Sequence, residues 1–297
     1  MQQSGLRLMR RERFWLWIFL LPTLVGLLLG SLGPVVAAVG ISFTEWDVIT
    51  PPTFAGLENY RALLQDPTFV KALKNTAYYV FGLVPAATVL SLSLALLMNQ
   101  KLRGITWYRT AYFLPVVSST VAVALVWSWI YAKDFGLLNF FLRHLGVEPL
   151  GWLSSTRWAM PAVIIMGVWG SIGTGMVIFL AGLQSISPSY YEAAEVDGAN
   201  GWQRLTRITL PLITPSLFFY FIITMIDAFQ VFESIYIMTR GGPVNSTTTL
   251  VYYIYRNAFR NFEMGYASAQ AIVLFLIIMV LTLIYWRSQE RWVVYDA

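Results

Sequence analysis

Six runs of the chain contain no Asp, Glu, Lys or Arg: residues 14–44, 75–100, 110–132, 158–191, 208–226 and 264–286. Each reaches the roughly 17–25 residues that a helix needs to cross about 30 Å of hydrocarbon. Backbone polar groups find no water in lipid, so a spanning segment must bond within itself, as a helix does. The pattern predicts an all-α integral membrane protein, a single membrane domain over residues 1–297. Its six transmembrane helices are expected near 15–38, 76–99, 110–131, 158–182, 209–232 and 264–286. The first run follows Arg7, Arg10, Arg11 and Arg13 but exceeds a signal peptide's apolar stretch of about 7–15 residues, so it is expected as an uncleaved helix. The fifth is the least clean, because Asp227 and Glu233 lie at and beyond its end.

The segments between these runs carry their own signals. In 56–74, Asp66-Pro67 reads as a helix start and Phe69, Leu73 and Ala77 share a face, which predicts a short amphipathic helix leading into the second span. Residues 241–249, GGPVNSTTT, form a turn-rich break before a second interfacial helix over 250–262. The richest segment is Ser187 to Pro215. Ser187-Pro188 supplies an N-cap and a proline at the first helical position, and Ala193 and Ala194 favour helix. Gly198 reads as a C-terminal cap, and Asn200 to Gln203 open a second helix before Pro211 and Pro215. The expectation is helix, glycine turn, helix, with a coupling loop at 187–208. Taken on spacing alone, this is either an interfacial linker or a docking element.

Composition narrows the class. The chain is 57% hydrophobic and only 12% charged, about half the charged share of soluble domains, so its solvent includes lipid. The net charge of +5 sits beside apolar runs rather than in a patch, which argues for membrane orientation and against nucleic acid. Eleven of the twenty Lys and Arg fall in the segments on the N-terminal side, 1–14, 100–109, 183–208 and 287–297. That side is expected to be cytoplasmic, with both termini inside. Trp15, Trp17, Trp107, Trp158 and Trp286 lie near helix ends, as aromatic belts do. There is no cysteine and one histidine, His144, which reads as a solvated or docking-surface residue; no catalytic or metal-ligating set is assigned. No stretch matches G-x-x-x-x-G-K-[ST], so any ATP-driven work must be powered by another chain.

The string Glu192-Ala193-Ala194, Gly198, Ile208 and Leu210-Pro211 resembles the EAA signature of permease subunits from binding-protein-dependent ABC importers. The opening LLPTLVGLLLGSLGPVVAAVGISFTEWD with GLENY, Leu114-Pro115, FQVFESIYIMTRGGP, NSTTTLVYYIYRNAF and GYASAQA look like the first permease type of the carbohydrate-uptake class. The resemblance covers nearly the whole chain; Gly30 departs from the bulkier apolar residue common there, and the large extra periplasmic domain of some maltose permeases is not expected.

The resemblance implies the type I importer permease fold, six spans with a cytoplasmic coupling helix, in a bacterial or archaeal cytoplasmic membrane. It implies a transport subunit rather than an enzyme, forming half of a sugar pathway. Its implied partners are a second permease, two copies of a cytoplasmic ATPase that holds ATP and Mg, and an external sugar-binding protein; this chain binds no cofactor itself. Tyr191, Glu192, Ala193, Ala194, Asp197, Gly198 and Ala199 become the docking residues for the ATPase.

Along the substrate path, Asp227 is a carboxylate well inside the fifth expected helix, 209–232, with Gln230 and Glu233 close to the same face; they either bind sugar hydroxyls or pair with cations or a second permease. Trp169 falls where related permeases line the sugar site and can stack on a pyranose, or pack on lipid or a helix. Its neighbours Gly167, Gly170, Ser171 and Gly173 allow close approach or an interrupted helix. Ser171 and Ser119, beside Ser118 and Thr120, are further candidates, although such hydroxyls often bond their own helix. Other readings are an importer of glycerol phosphate or a polyol, a membrane-embedded enzyme, and a self-sufficient secondary transporter.

Overall fold

The computed structural model describes residues 16–100 and 103–294. Arg7 to Arg13 and Trp15, used above for orientation, lie outside the described residues. The chain divides into two compact units, Met1–Gln65 with Ile254–Val273, and Asp66–Tyr253 with Leu274–Ala297.

In the first unit, α1 spans Leu16–Ile41 and carries large exposed apolar side chains on all faces, the pattern of a helix solvated by lipid. A two-residue antiparallel ribbon follows, β1 (Thr44–Glu45) on β2 (Thr53–Phe54), and then α2 (Glu58–Gln65). Asp47 closes the ribbon's turn: one carboxylate oxygen accepts from the Thr50 and Ile49 N–H groups and the Thr50 hydroxyl, which holds its carboxyl below the usual range. Asn59 of α2 donates to the carbonyls of Ser42 and Thr44, which ties α2 to the end of α1.

The second unit is built on two long helices, α3 (Pro67–Met98) and α7 (Ala159–Ser185). Asp66 caps α3 by accepting from the Thr68 N–H, as its sequence suggested. The helix then runs unbroken to Met98, so the separate lead-in helix expected within 56–74 is α2 plus the first turns of α3. Lys71 and Lys74 end the uncharged run at 75 but do not end the helix, because hydropathy marks the edge of the hydrocarbon rather than the edge of the backbone hydrogen bonding.

The third span is not one straight helix. It is α4 (Ile105–Val117) and α5 (Thr120–Ile130), bent by 101°. Pro115 has no N–H for the Ala111 carbonyl, and Ser118 and Ser119 adopt extended backbone at the break. The Ser118 hydroxyl donates to the Leu114 carbonyl at 3.0 Å. Next comes α6 (Leu137–His144), held by the buried Asn139, which donates to the carbonyls of Lys133 and Leu150 and accepts from Trp152 Nε1. His144 lies against the Phe140 ring, with Nδ1 2.9 Å from the Phe140 carbonyl.

After α7 come α8 (Pro188–Val196) and α9 (Gly201–Leu212), and then α10 (Thr214–Phe229) at 61° to α9. Pro215 again supplies the cause: it cannot donate to the Pro211 carbonyl, which accepts instead from the Thr214 hydroxyl at 2.6 Å. The unit is completed by α11 (Glu233–Met238), most of α12's first turn (α12 is Leu250–Phe259) and the second half of α13 (Met264–Ser288). By length and composition four helices can cross a membrane, Leu16–Ile41, Pro67–Met98, Ala159–Ser185 and Met264–Arg291, or up to six if each bent pair is one crossing.

The hub is α7, which packs along α3 and also against α4, α10 and α11. Its glycines make this possible. A methyl group at Gly167 would lie 2.6 Å from Leu83 Cδ1, at Gly173 2.7 Å from Val116 Cγ2, and at Gly175 2.7 Å from Tyr220 Cζ. Each glycine thus admits a different neighbour, the use of small residues expected where helices associate without a hydrophobic drive. The helix is unbroken at Gly167–Gly173, so of the two sequence expectations close approach is the one observed there.

Candidate functional site

Two features of the second unit carry the chemistry: a cavity among the long helices, and the polar hairpin α8–α9.

The cavity has a volume of about 530 Å³. Its walls come from α3 (Tyr79, Leu83), the α4–α5 break (Pro115, Ser118, Thr120), α7 (Gly167, Trp169, Gly170, Ser171) and α10 with α11 (Tyr220, Thr224, Asp227, Gln230, Glu233). Five of the six residues proposed from sequence for the path, Trp169, Ser171, Asp227, Gln230 and Glu233, line this one space. Ser119 is not among them; it sits at the 101° break, between Ser118 and Thr120, which do line it. The reason is the break itself, which turns two consecutive serines onto different sides.

Trp169 lines the cavity, makes an edge-type contact with Trp127 at 5.7 Å between centroids, and is 41% exposed. Trp127 is in turn packed on Tyr131, whose hydroxyl donates to the Ala162 carbonyl of α7 at 2.9 Å. The indole is therefore positioned by protein on one side and open on the other, the arrangement needed to stack on an apolar ring face. The Ser171 hydroxyl donates to the Gly167 carbonyl at 2.9 Å, leaving it free only as an acceptor.

Asp227, Gln230 and Glu233 are exposed into the cavity and have no ion pair among the described residues. Sequence reasoning missed the tyrosines. The Tyr220 hydroxyl donates to the Ser171 carbonyl at 3.1 Å and lies 3.4 Å from Ser91 Oγ. Tyr79 bonds Ser234. A signal was present: Tyr220, Thr224 and Asp227 stand at i, i+4 and i+7, a polar stripe on one face of an otherwise apolar helix.

The hairpin follows its sequence signals closely. Ser187 caps α8 and Pro188 is its first residue. At the other end Gly198 has φ +74°, the Ala199 N–H bonds the Ala194 carbonyl at 2.8 Å, and the Gly198 N–H bonds the Glu195 carbonyl at 3.1 Å. These are the two bonds of a Schellman cap. Asn200 then opens α9 with a reciprocal capping box to Gln203, at 2.8 and 2.9 Å. Glu192, Ala193, Asp197 and Gly198 are exposed, while Tyr191, Ala194 and Ala199 are half-buried. Val196 at the end of α8 is 89% exposed and Trp202 in the first turn of α9 is 71% exposed, two exposed apolar side chains in an otherwise polar hairpin. The Arg204–Glu195 pair, at 3.9 Å on the surface, contributes little.

The two features are joined directly. The hairpin is the connection between α7 and α10, the helices that carry Trp169 and Asp227. By helical rise Trp169 is about 24 Å along α7 from Ser185, and Asp227 about 20 Å along α10 from Thr214.

Comparison with known proteins converges on one family. Residues 75–293 match the family described as binding-protein-dependent transport system inner membrane component. The chain is similar to a probable ABC transporter permease protein, YesP, of Bacillus subtilis (strain 168), 36% identical over 98% of this chain and 95% of that one. It is also similar to a probable starch degradation products transport system permease protein, AmyD, of Thermoanaerobacterium thermosulfurigenes, 34% identical over 95% of this chain and 96% of the relative. Among solved structures it resembles a chain of a bacterial ABC transporter involved in the import of the acidic polysaccharide alginate, with TM-score 0.84 and 27% identity over 96% of this chain and 99% of that one. A helical membrane chain, matching the family model over most of its length, is thereby assigned: it belongs to the binding-protein-dependent transport system inner membrane components, as a multi-pass permease of an ABC importer and not an enzyme.

Proposed function

We propose that the chain is one of two permeases in an ATP-driven sugar importer, and that α8 is the helix through which a cytoplasmic ATPase moves the cavity. Each bent pair counts as one crossing in this reading, which makes six spans. Both termini are cytoplasmic, supported by the density of Lys and Arg on that side. The 530 Å³ cavity is this chain's half of the path, with Trp169 stacking on the sugar and Asp227, Gln230 and Glu233 accepting from or donating to its hydroxyls. Ser171 offers a further acceptor, and Ser119 acts only through the α4–α5 break. A second permease supplies the other half, two ATPase copies hold ATP and Mg, and an external binding protein delivers the sugar.

The observation that carries this reading is connectivity. The hairpin is the chain connection between the two helices that hold Trp169 and Asp227, so a displacement of α8 reaches both walls of the cavity. Glu192 and Asp197 offer exposed charges to a partner groove, Tyr191 ties the helix to the membrane helices, Ala193 and Ala194 permit close approach, and Gly198 with Ala199 fixes the turn. A relative named for starch degradation products and a structural neighbour from an alginate importer support a saccharide as cargo.

The test is reconstitution of the complex in vesicles with its binding protein, followed by uptake of a sugar panel with and without ATP. Uptake that needs ATP and the binding protein is expected; uptake by this chain alone, or without ATP, contradicts the proposal.

A further inference from the structure

The cavity wall has a charge asymmetry that the family assignment does not contain. Its lining includes two carboxylates, Asp227 and Glu233, and among the described residues no Lys, Arg or His. Among the described residues neither carboxylate is neutralised by an ion pair, and their neighbours in the wall, Gln230, Thr224 and the tyrosine hydroxyls, are uncharged. In a site walled largely by apolar and aromatic groups, fixed negative charge is screened far less than in water, so an anion entering it is opposed by both carboxylates. An uncharged polyol meets no such penalty, since carboxylates accept from vicinal hydroxyls, and an amine is attracted.

We infer that this permease passes uncharged or amine-bearing saccharides and rejects acidic sugars and sugar phosphates. This rests on the cavity being the sugar path. It separates the chain from the alginate importer it resembles in fold, whose substrate is an acidic polysaccharide. It also disfavours glycerol phosphate as cargo. Gly170 also lines the cavity, and a β-carbon there would meet no atom within 4 Å, so the glycine leaves room beside Trp169.

The experiment uses the purified membrane complex of both permeases and both ATPases, without the binding protein, so that only the path selects. Binding of glucose, glucosamine, glucuronate and glucose 6-phosphate, and of the matching disaccharide series, is followed by saturation-transfer NMR. The uncharged and amino sugars are expected to bind at least tenfold more tightly than the uronate and the phosphate. The gap is expected to shrink in high salt and in the Asp227→Asn, Glu233→Gln double variant. Equal or tighter binding of the acidic sugars in the unaltered complex overturns the inference while leaving the sugar path intact. Binding of none of the sugars overturns the sugar path itself, and the inference with it.

Discussion

The Tyr191 hydroxyl of α8 lies 3.0 Å from the Thr209 hydroxyl of α9, eighteen residues on. Its ring packs against a buried cluster that includes Met98 of α3, Leu183 of α7 and Ile213 at the foot of α10. The exposed face of α8 and the long helices are thus joined through this side chain. Tyr191→Phe removes only the hydroxyl contact and is expected to cost about 1 kcal/mol with uptake retained. Tyr191→Ala removes the packing as well and is expected to lower uptake severalfold at unchanged expression. Parallel thermal unfolding and uptake assays distinguish the two.

Gly198 sets the angle between α8 and α9. It has φ +74° and a side chain there meets nothing within 4 Å, so any cost of substitution is backbone strain alone. Gly198→Val is expected to cost roughly 1–2 kcal/mol or more and impair coupling, whereas Gly198→Asn, which tolerates this conformation, retains more activity. Equal uptake in the two variants would show that the turn geometry is immaterial.

Two glycines on α7 make a contrasting pair. Gly175→Ala drives a methyl into Ser91 and Tyr220 and is expected to destabilise the α3–α7–α10 packing by about 1–3 kcal/mol. Gly170→Leu places its β-carbon in open space and is expected to change the melting temperature far less than Gly175→Ala while excluding larger sugars first. Melting curves with an uptake series from mono- to oligosaccharide read both effects.

Trp169 makes an edge-type contact with Trp127 and lines the cavity. Trp169→Phe keeps an aromatic face and is expected to weaken sugar binding less than Trp169→Ala, for which a loss of about 1 kcal/mol, several-fold in affinity, is expected. Titration of the membrane complex with the transported sugar measures the difference.

The parts of this molecule legible in its sequence are those fixed by local chemistry. Ser187, Gly198 and the Asn200–Gln203 pair announce the ends of α8 and α9 because caps satisfy backbone groups within a few residues. The long apolar runs announce spans for the same reason. The 101° bend was not legible: residues 110–132 form one uncharged run, and a proline within it can kink a helix or break it, depending on what Ser118 and Ser119 then do. That bend is also why Ser119 falls outside the cavity wall while Ser118 and Thr120 line it. Tyr79 and Tyr220 were hidden because an aromatic residue in an apolar run looks like packing; only the stripe through Thr224 and Asp227 gives Tyr220 away.

If α8 transmits work from a partner ATPase to the cavity, Glu192, exposed on that helix, is the residue at which to break the link. In vesicles holding the complete importer, sugar uptake and ATP hydrolysis are measured together for Glu192→Lys and the unaltered chain. The variant is expected to insert and assemble normally, to lose most uptake, and no longer to link hydrolysis to the presence of the loaded binding protein. Unchanged uptake with unchanged stimulation of hydrolysis would contradict transmission through α8.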